Sequence, residues 1–316
     1  MPGESAMLSR VSAVALNTYR EAVRARILHG LFALALATAG YSLVVGAFAL
    51  SSSLRVVSDL GAASISIYGI VVAVVLGATS LYRELELKTI FPILARPIRR
   101  AEYLVGKYLG TVLTLAVFIA ADSGALLLAL GVAGGRSLVS ALALAAGITA
   151  LAGGMALRAA RWRTFLPIPW AFGLLLAGAL FAVSAPDDRR VILGSALLTL
   201  SEVAVVAAIA TVFAAFSSPF LTAVFTFGVF IVGRSADTLA RMPVRVFGAP
   251  LVRLCGGIAR VVPNLMLYVP PRPLLTGEAS GVSLGSYLMM AVLHALAWSV
   301  LLLTAASLFF RRRDFL

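Results

Sequence analysis

Apolar runs of about 20 residues recur from residue 30 to residue 310, separated by short charged connections. That length crosses a hydrocarbon core of roughly 30 Å. The chain has 316 residues, 61% of them hydrophobic and 12% charged, with a mean hydropathy of +1.02. A soluble domain carries about a quarter charged residues and under half apolar ones. Surface-to-volume scaling leaves no single soluble core large enough to hide this excess. A soluble enzyme and a disordered tail are both excluded. The expected fold is an all-α polytopic membrane protein, with residues 1–316 forming one transmembrane domain.

The runs place spans at 30–50, 61–82, 108–132, 138–157, 165–185, 190–215, 219–234 and 286–310. Span 219–234 is short and follows Ser217-Ser218-Pro219, so a broken or re-entrant pair, and a count of six or seven, stay open. One set of connections holds 16 Lys and Arg: the N-terminal segment, the loop 83–107, Arg158/Arg161/Arg163 and the tail Arg311–Arg313. The other set holds 4 once the long segment 234–285 is set aside, because long translocated loops constrain topology less. Both termini are therefore expected in the cytoplasm, in a multi-pass protein of the inner (plasma) membrane. The net charge of +13 follows the same clusters. With no soluble basic domain, nucleic acid is not an expected partner.

Residues 1–27 lack the pattern of a cleaved signal. Val11, Ala15, Tyr19 and Val23 recur every four residues, with Arg10, Asn17, Arg20 and Arg24 opposite, which predicts an amphipathic helix. Such a helix lies in the membrane interface or packs on a partner. The segment 234–285 repeats the theme: Phe247, Leu251, Leu254, Ile258 and Val261 form a stripe opposite Arg245, Arg253 and Arg260. An outer amphipathic helix is expected there, followed by an extended Tyr268-Val-Pro-Pro-Arg-Pro273.

Candidate chemistry is sparse. Cys255 is the lone cysteine, and His29 and His294 are far apart at or within apolar runs, so neither a disulfide nor a metal site is expected. The histidines read as packing or interfacial residues. No paired catalytic acids or nucleophile–base set stands out, and Gly106-Lys107-Tyr108 lacks the upstream glycine and the hydroxyl of a phosphate-cradling loop. Two acids, Asp122 and Glu202, fall inside spans, where a charge costs a few kcal/mol. Each is either a substrate or proton contact or a structural hydrogen-bonding group. Gly69/Gly77 and Gly153/Gly154 read as sites of close helix packing.

The most informative stretch is Arg83–Lys107: a charged exit from the second span, a short apolar helix (Ile90, Phe91, Ile93, Leu94), a break at Arg96-Pro97, and a new helix near Arg99 with Glu102 in its first turn. Phe91 and Leu94 need a cover, either a cytosolic partner's groove or the underside of the bundle.

The run Asp59-Leu-Gly … Ile67-Tyr-Gly-Ile-Val … Gly77 … Tyr82-Arg-Glu-Leu-Glu … Thr89-Ile … Leu94-Ala-Arg-Pro-Ile … Glu102-Tyr-Leu-Val-Gly-Lys-Tyr-Leu-Gly110 resembles permeases of ABC transporters of the ABC-2 type. It is most similar to the branch with the multi-copper enzyme and nitrous-oxide reductase maturation permeases. Asn17-Thr-Tyr-Arg-Glu-Ala-Val-Arg-Ala-Arg-Ile27, Pro263-Asn-Leu265 and Phe310-Arg-Arg-Arg-Asp-Phe315 extend the likeness to both ends, and it is poor over 134–190. The resemblance implies that the 83–107 loop docks on a separate ATPase subunit. Glu84, Glu86 and Thr89 would flank the docking helix, and Phe91 and Leu94 would fill the groove. Arg96 and Pro97 would set the turn beside Arg100, while Glu102 and Lys107 would anchor the third span. It also implies a second permease copy, ATP and Mg on the partner rather than on this chain, no catalysis by this chain, and export as the direction of transport.

Two other functions fit the same residues. One is an ATP-independent, proton-coupled secondary transporter using Asp122 and Glu202. The other is a non-transporting membrane anchor or assembly factor whose loop binds a partner.

Overall fold

The computed structural model describes residues 2–49, 52–86, 99–158, 163–278, 281 and 283–311, with the side chains of 2–6, 80–86 and 310–311 excepted. Among these residues all regular structure is helical. In a bilayer this is the expected outcome, because a helix satisfies its backbone groups within one segment.

The chain opens with α1 (Pro2–Val23), α2 (Arg26–Phe48) and α3 (Ser53–Glu86). After the loop come α4 (Arg100–Ala133), α5 (Leu138–Arg158), α6 (Pro167–Phe181) and α7 (Pro186–Ala214). Next is α8 (Pro219–Arg234), then the short helices α9 (Ala236–Ala240), α10 (Val244–Phe247), α11 (Ala249–Val261) and α12 (Arg272–Thr276). The last helix is α13 (Leu284–Arg311). Proline opens α6, α7 and α8, where a missing N–H costs nothing.

Seven of these helices (α2, α3, α4, α5, α6 with the turn after it, α7 and α13) are long and apolar enough to cross a membrane. The protein is thus an all-helical, membrane-embedded chain. The expected eighth span is a different object. α8 has 16 residues, about 24 Å of helix, short of the hydrocarbon core. Ser217 and Thr222 share a hydroxyl hydrogen bond (2.8 Å) at the turn between α7 and α8. From there α8 runs back along α7 until Arg234 meets Glu202, about 18 Å from the Ala214 end of α7. The chain then covers the remaining height of α7 in short pieces. Gly233 lies against Pro263 and Leu265, and Leu275 lies against Gly194. Arg190 donates to the Thr276 carbonyl (3.4 Å).

Segment 234–285 is therefore not a free outer loop, since its two ends pack on α7. The expectation of an extended Tyr268–Pro273 holds for part of it. Leu265–Tyr268 is a 3-10 turn, and Pro273 sits in the first turn of α12, where proline fits a helix.

The core is built by α3, α4 and α7, with Ile65, Leu115, Leu126, Leu127, Ile192 and Leu198 buried. Gly69 and Gly77 permit the α3–α7 crossing: a Cβ on Gly69 would sit 3.1 Å from Thr199, and one on Gly77 would strike Ala210. The same reading fails for Gly153 and Gly154. A Cβ on either would meet nothing within 4 Å. They lie on α5, a peripheral helix whose one buried residue is Ala141.

Of the stripe expected on α1, Val11 and Tyr19 are buried within the chain and Ala15 and Val23 are half-buried. Thr18 and Ala22 are buried as well. A Cβ on Gly106 of α4 would lie 2.7 Å from Val14, and one on Gly110 would strike the Ala15 carbonyl. The stripe on α10 and α11 stays open, with Phe247, Leu251, Leu254, Ile258 and Val261 all exposed.

Candidate functional site

Below, the α1 face is the one where α1 meets α2, α4 begins and α5 ends; the far face is its opposite. A cavity with a polar floor and rim opens from the far face. α3 presents Asp59, Ala62, Ala63, Ser66 and Ile67, and α7 presents Val191, Ser195 and Thr199. Both sets follow helical spacing, so each helix turns one face to a cavity of about 480 Å³. The segment Tyr268–Leu275 closes the third side, and Arg234 forms the inner end. From Asp59 to Ser66 the cavity follows α3 inward for about 10 Å.

A buried ion pair makes its floor. Arg234 donates from Nε to Glu202 Oε1 (2.6 Å) and from a terminal nitrogen to Glu202 Oε2 (2.8 Å), and it also bonds Ser66 Oγ (2.8 Å). The Glu202 side chain is 1% exposed and that of Arg234 is 26% exposed. A bidentate fork on a carboxylate is the strongest and most directional pairing available to such groups. Removing either partner would leave an uncompensated charge.

The rim carries a second cluster. Arg272 bridges Asp59 and Asp188 and also donates to Ser58 Oγ (3.0 Å). Burial opposes the charge on this guanidinium, but the carboxylates of Asp188 and Asp59 more than offset that, and its pKa stands above the usual value. Ser58 in turn donates to Asp188 (2.7 Å). The rim thus joins α3, the start of α7 and α12 in one polar network.

Beside the cavity, Tyr268 and His294 Nδ1 are 2.9 Å apart, and Trp298 Nε1 lies 3.1 Å from His294 Nε2. An indole N–H can only donate, so Nε2 accepts and Nδ1 carries the ring proton toward Tyr268. His294 is thereby a packing residue, as its setting in an apolar run suggested. His29 is exposed, with Nδ1 3.0 Å from the Ala25 carbonyl. Burial pushes the Tyr268 hydroxyl above the usual phenol range, and the nearby Glu202 charge adds to this. No group of His, Cys, Asp and Glu suited to a metal ion occurs among the described residues.

The two intramembrane acids flagged by the sequence have opposite surroundings. Glu202 is fully paired. Asp122 is fully buried, and among the described residues neither of its oxygens has a hydrogen-bond partner. It shares a face of α4 with Ile119 and Leu126, which meet Gly69 and Gly61 of α3. Among the described residues no hydrogen bond links the two acids.

Of the loop residues, Thr89, Phe91, Leu94, Arg96 and Pro97 lie outside the described residues, and Glu84 and Glu86 are placed by backbone alone, in the last turn of α3. Arg100 opens α4. Glu102 accepts from Arg10 Nε (2.9 Å) and its terminal nitrogen (3.1 Å), and from the Arg99 backbone N–H (3.4 Å). Lys107 is buried with its ammonium 5.7 Å from the Tyr103 ring centroid.

Sequence reasoning missed Arg234 and Arg272, which it counted among the outer-segment charges. The available signal was an arginine ending an apolar run, Phe230-Ile-Val-Gly-Arg234, in a chain with an unpaired intramembrane glutamate.

No family model matches the chain, and no curated protein matches it.

Proposed function

We propose that the chain is the membrane subunit of an ATP-driven transporter of the ABC-2 type, coupled through its 83–107 loop to a separate ATPase and working as an exporter. In this reading both termini and the α1 face are cytoplasmic, α1 lies along the inner-membrane interface, and two permease copies assemble. ATP and Mg belong to the partner. The observation that carries the reading is the continuity of α3. One unbroken helix of 34 residues, about 50 Å long, lines the far-face cavity at one end and carries Glu84 and Glu86 at the other. A force on the loop reaches the cavity wall through a single rigid rod. The ATPase biases the two end states only by the difference in its affinity for them.

The test is a mild-detergent pull-down of the tagged protein, native and as Phe91→Asp/Leu94→Asp. Co-purification of an ATPase with the native protein and its loss from the double variant support the reading. Failure to recover an ATPase after crosslinking sinks it.

The buried Asp122 favours a second reading, proton-coupled transport without ATP. That reading requires flux driven by a pH gradient alone, lost in Asp122→Asn. Flux that persists in this variant removes it. If neither activity is found and charge reversal at Glu84 and Arg96 changes nothing, an anchor or assembly role is left.

A further inference from the structure

On the α1 face, opposite in character to the polar cavity, α5 stands away from the bundle. Beside it lie two neighbouring apolar cavities, of about 400 and 770 Å³, that both touch Leu166 and together form a crevice. The deeper part lies between Phe32 of α2, Val117 of α4, Gly153 of α5 and Trp170 of α6. It follows α4 from Thr114 to Ala121, about 10 Å of membrane depth. Among the described residues no acidic side chain lines either part. Arginines cluster at the mouth: Arg20 from the last turn of α1, Arg158 ending α5, and Arg163 before α6.

These three differ from the arginines held in the ion pairs described above. Arg10, Arg234 and Arg272 each hold a carboxylate. Among the described residues, Arg20 contacts a ring, with its guanidinium 4.6 Å from the Phe165 centroid, and Arg158 and Arg163 show no acidic partner. A crevice that is apolar at depth and cationic at the mouth matches an amphiphile with an anionic head, lying as lipids of that leaflet already lie. A second apolar helix or a neutral lipid would fill the crevice and leave the guanidiniums unanswered.

We propose that this crevice is the seat of one anionic phospholipid. Its acyl chain lies against Phe32, Val117 and Trp170, and its phosphate lies among Arg20, Arg158 and Arg163. The site is independent of the far-face cavity and of the transport reading. Each arginine near an anionic headgroup is worth roughly a fivefold gain in affinity, so selectivity for charge is the signature.

Trp170 lies in the crevice wall and serves as the probe. Full-length protein with Trp162→Phe and Trp298→Phe keeps Trp170 alone, and Trp162→Phe with Trp170→Phe keeps Trp298 on α13 as a reporter of bulk lipid. Both are placed in phosphatidylcholine vesicles with a small fraction of brominated phosphatidylglycerol, or with the same fraction of brominated phosphatidylcholine. The expected result is quenching of Trp170 at least about fivefold more effective by the anionic lipid, with no such preference at Trp298. Arg20→Gln/Arg158→Gln/Arg163→Gln should bring Trp170 to parity. Equal quenching of Trp170 by the two lipids, or the same preference at Trp298, overturns the proposal. That comparison uses no arginine variant, so it decides the question even where the triple substitution does not fold.

Discussion

Arg10 and Glu102, 92 positions apart in the sequence, meet in a two-point ion pair that fastens α1 to the first turn of α4. The Glu102 side chain is 4% exposed and that of Arg10 is 34% exposed, so one partner is enclosed while the other keeps contact with solvent. The glycines beneath the pair, Gly106 and Gly110, let the two helices come within backbone contact. α1 is thus seated on the bundle by one electrostatic and one steric device.

The electrostatic device is tested by exchange. Arg10→Ala and Glu102→Ala should each lower the Tm in detergent by a few degrees. Arg10→Glu/Glu102→Arg should recover part of the loss. Equal damage in the exchanged protein would mean the pair is incidental to the seating of α1.

The steric device gives a sharper contrast. Gly110→Leu drives a side chain into the Ala15 carbonyl and Thr18 and should cost about 1–3 kcal/mol or more by overpacking. Gly147→Ala on α5 meets nothing within 4 Å and should be neutral or stabilise by up to about 1 kcal/mol, the usual helix-propensity gain. Reversal of that order in chemical unfolding would show that α5 is packed more closely than the bundle geometry implies.

Tyr19 supplies a pH dependence. Its ring is buried against Phe165, and among the described residues its hydroxyl has no partner. Burial pushes its pKa up to about 12 from 10.0. The folded state therefore holds the proton that the unfolded state gives up above pH 10.0. Stability from this group is complete below that value and is lost as pH rises toward about 12. Tyr19→Phe should be neutral to slightly stabilising at pH 7 and should flatten the alkaline limb of the Tm–pH curve. An unchanged alkaline limb would place the titrating group elsewhere.

At the cavity floor, removing one partner of the Arg234–Glu202 pair strands a charge. Glu202→Gln or Arg234→Met alone should each cost about 3 kcal/mol, the typical size for a broken buried pair. Glu202→Leu with Arg234→Met should cost less than either single change, read by unfolding in micelles. A double variant as damaged as the sum of the singles would show that the two side chains act independently and that neither change strands a charge.

Much of the fold was legible in the sequence because one force dominates it. The apolar runs at 138–157, 108–132 and 190–215 reappear as α5, α4 and α7, with ends shifted by at most one residue in α5 and by up to eight at the start of α4. In a bilayer, run length and helix length are the same constraint. The helical start beside Arg99 was legible too, since Glu102 stands where a first-turn acid belongs. What escaped was lateral. Nothing in the spacing of Arg234 says that it folds back on Glu202, or that Arg272 reaches Asp59 across 213 positions and Asp188 across 84. Nor does Gly153-Gly154 reveal whether another helix comes close. Hydropathy reports depth in the membrane, and partner choice around each helix axis is settled by tertiary packing.

The far-face cavity also bears on voltage. When water fills it and its mouth lies at the membrane boundary, a shaft about 10 Å deep carries the potential of the far-side solution inward, leaving roughly two-thirds of a 30 Å hydrocarbon core to bear the full transmembrane drop. The local field at the shaft floor is then about half again as steep as in flat bilayer. A full crossing is worth about 2.3 kcal/mol per elementary charge for each 100 mV, so the Arg234–Glu202 pair sits where a small displacement of either charge does the most electrical work. Any rearrangement that separates the two is in that sense also a gating current.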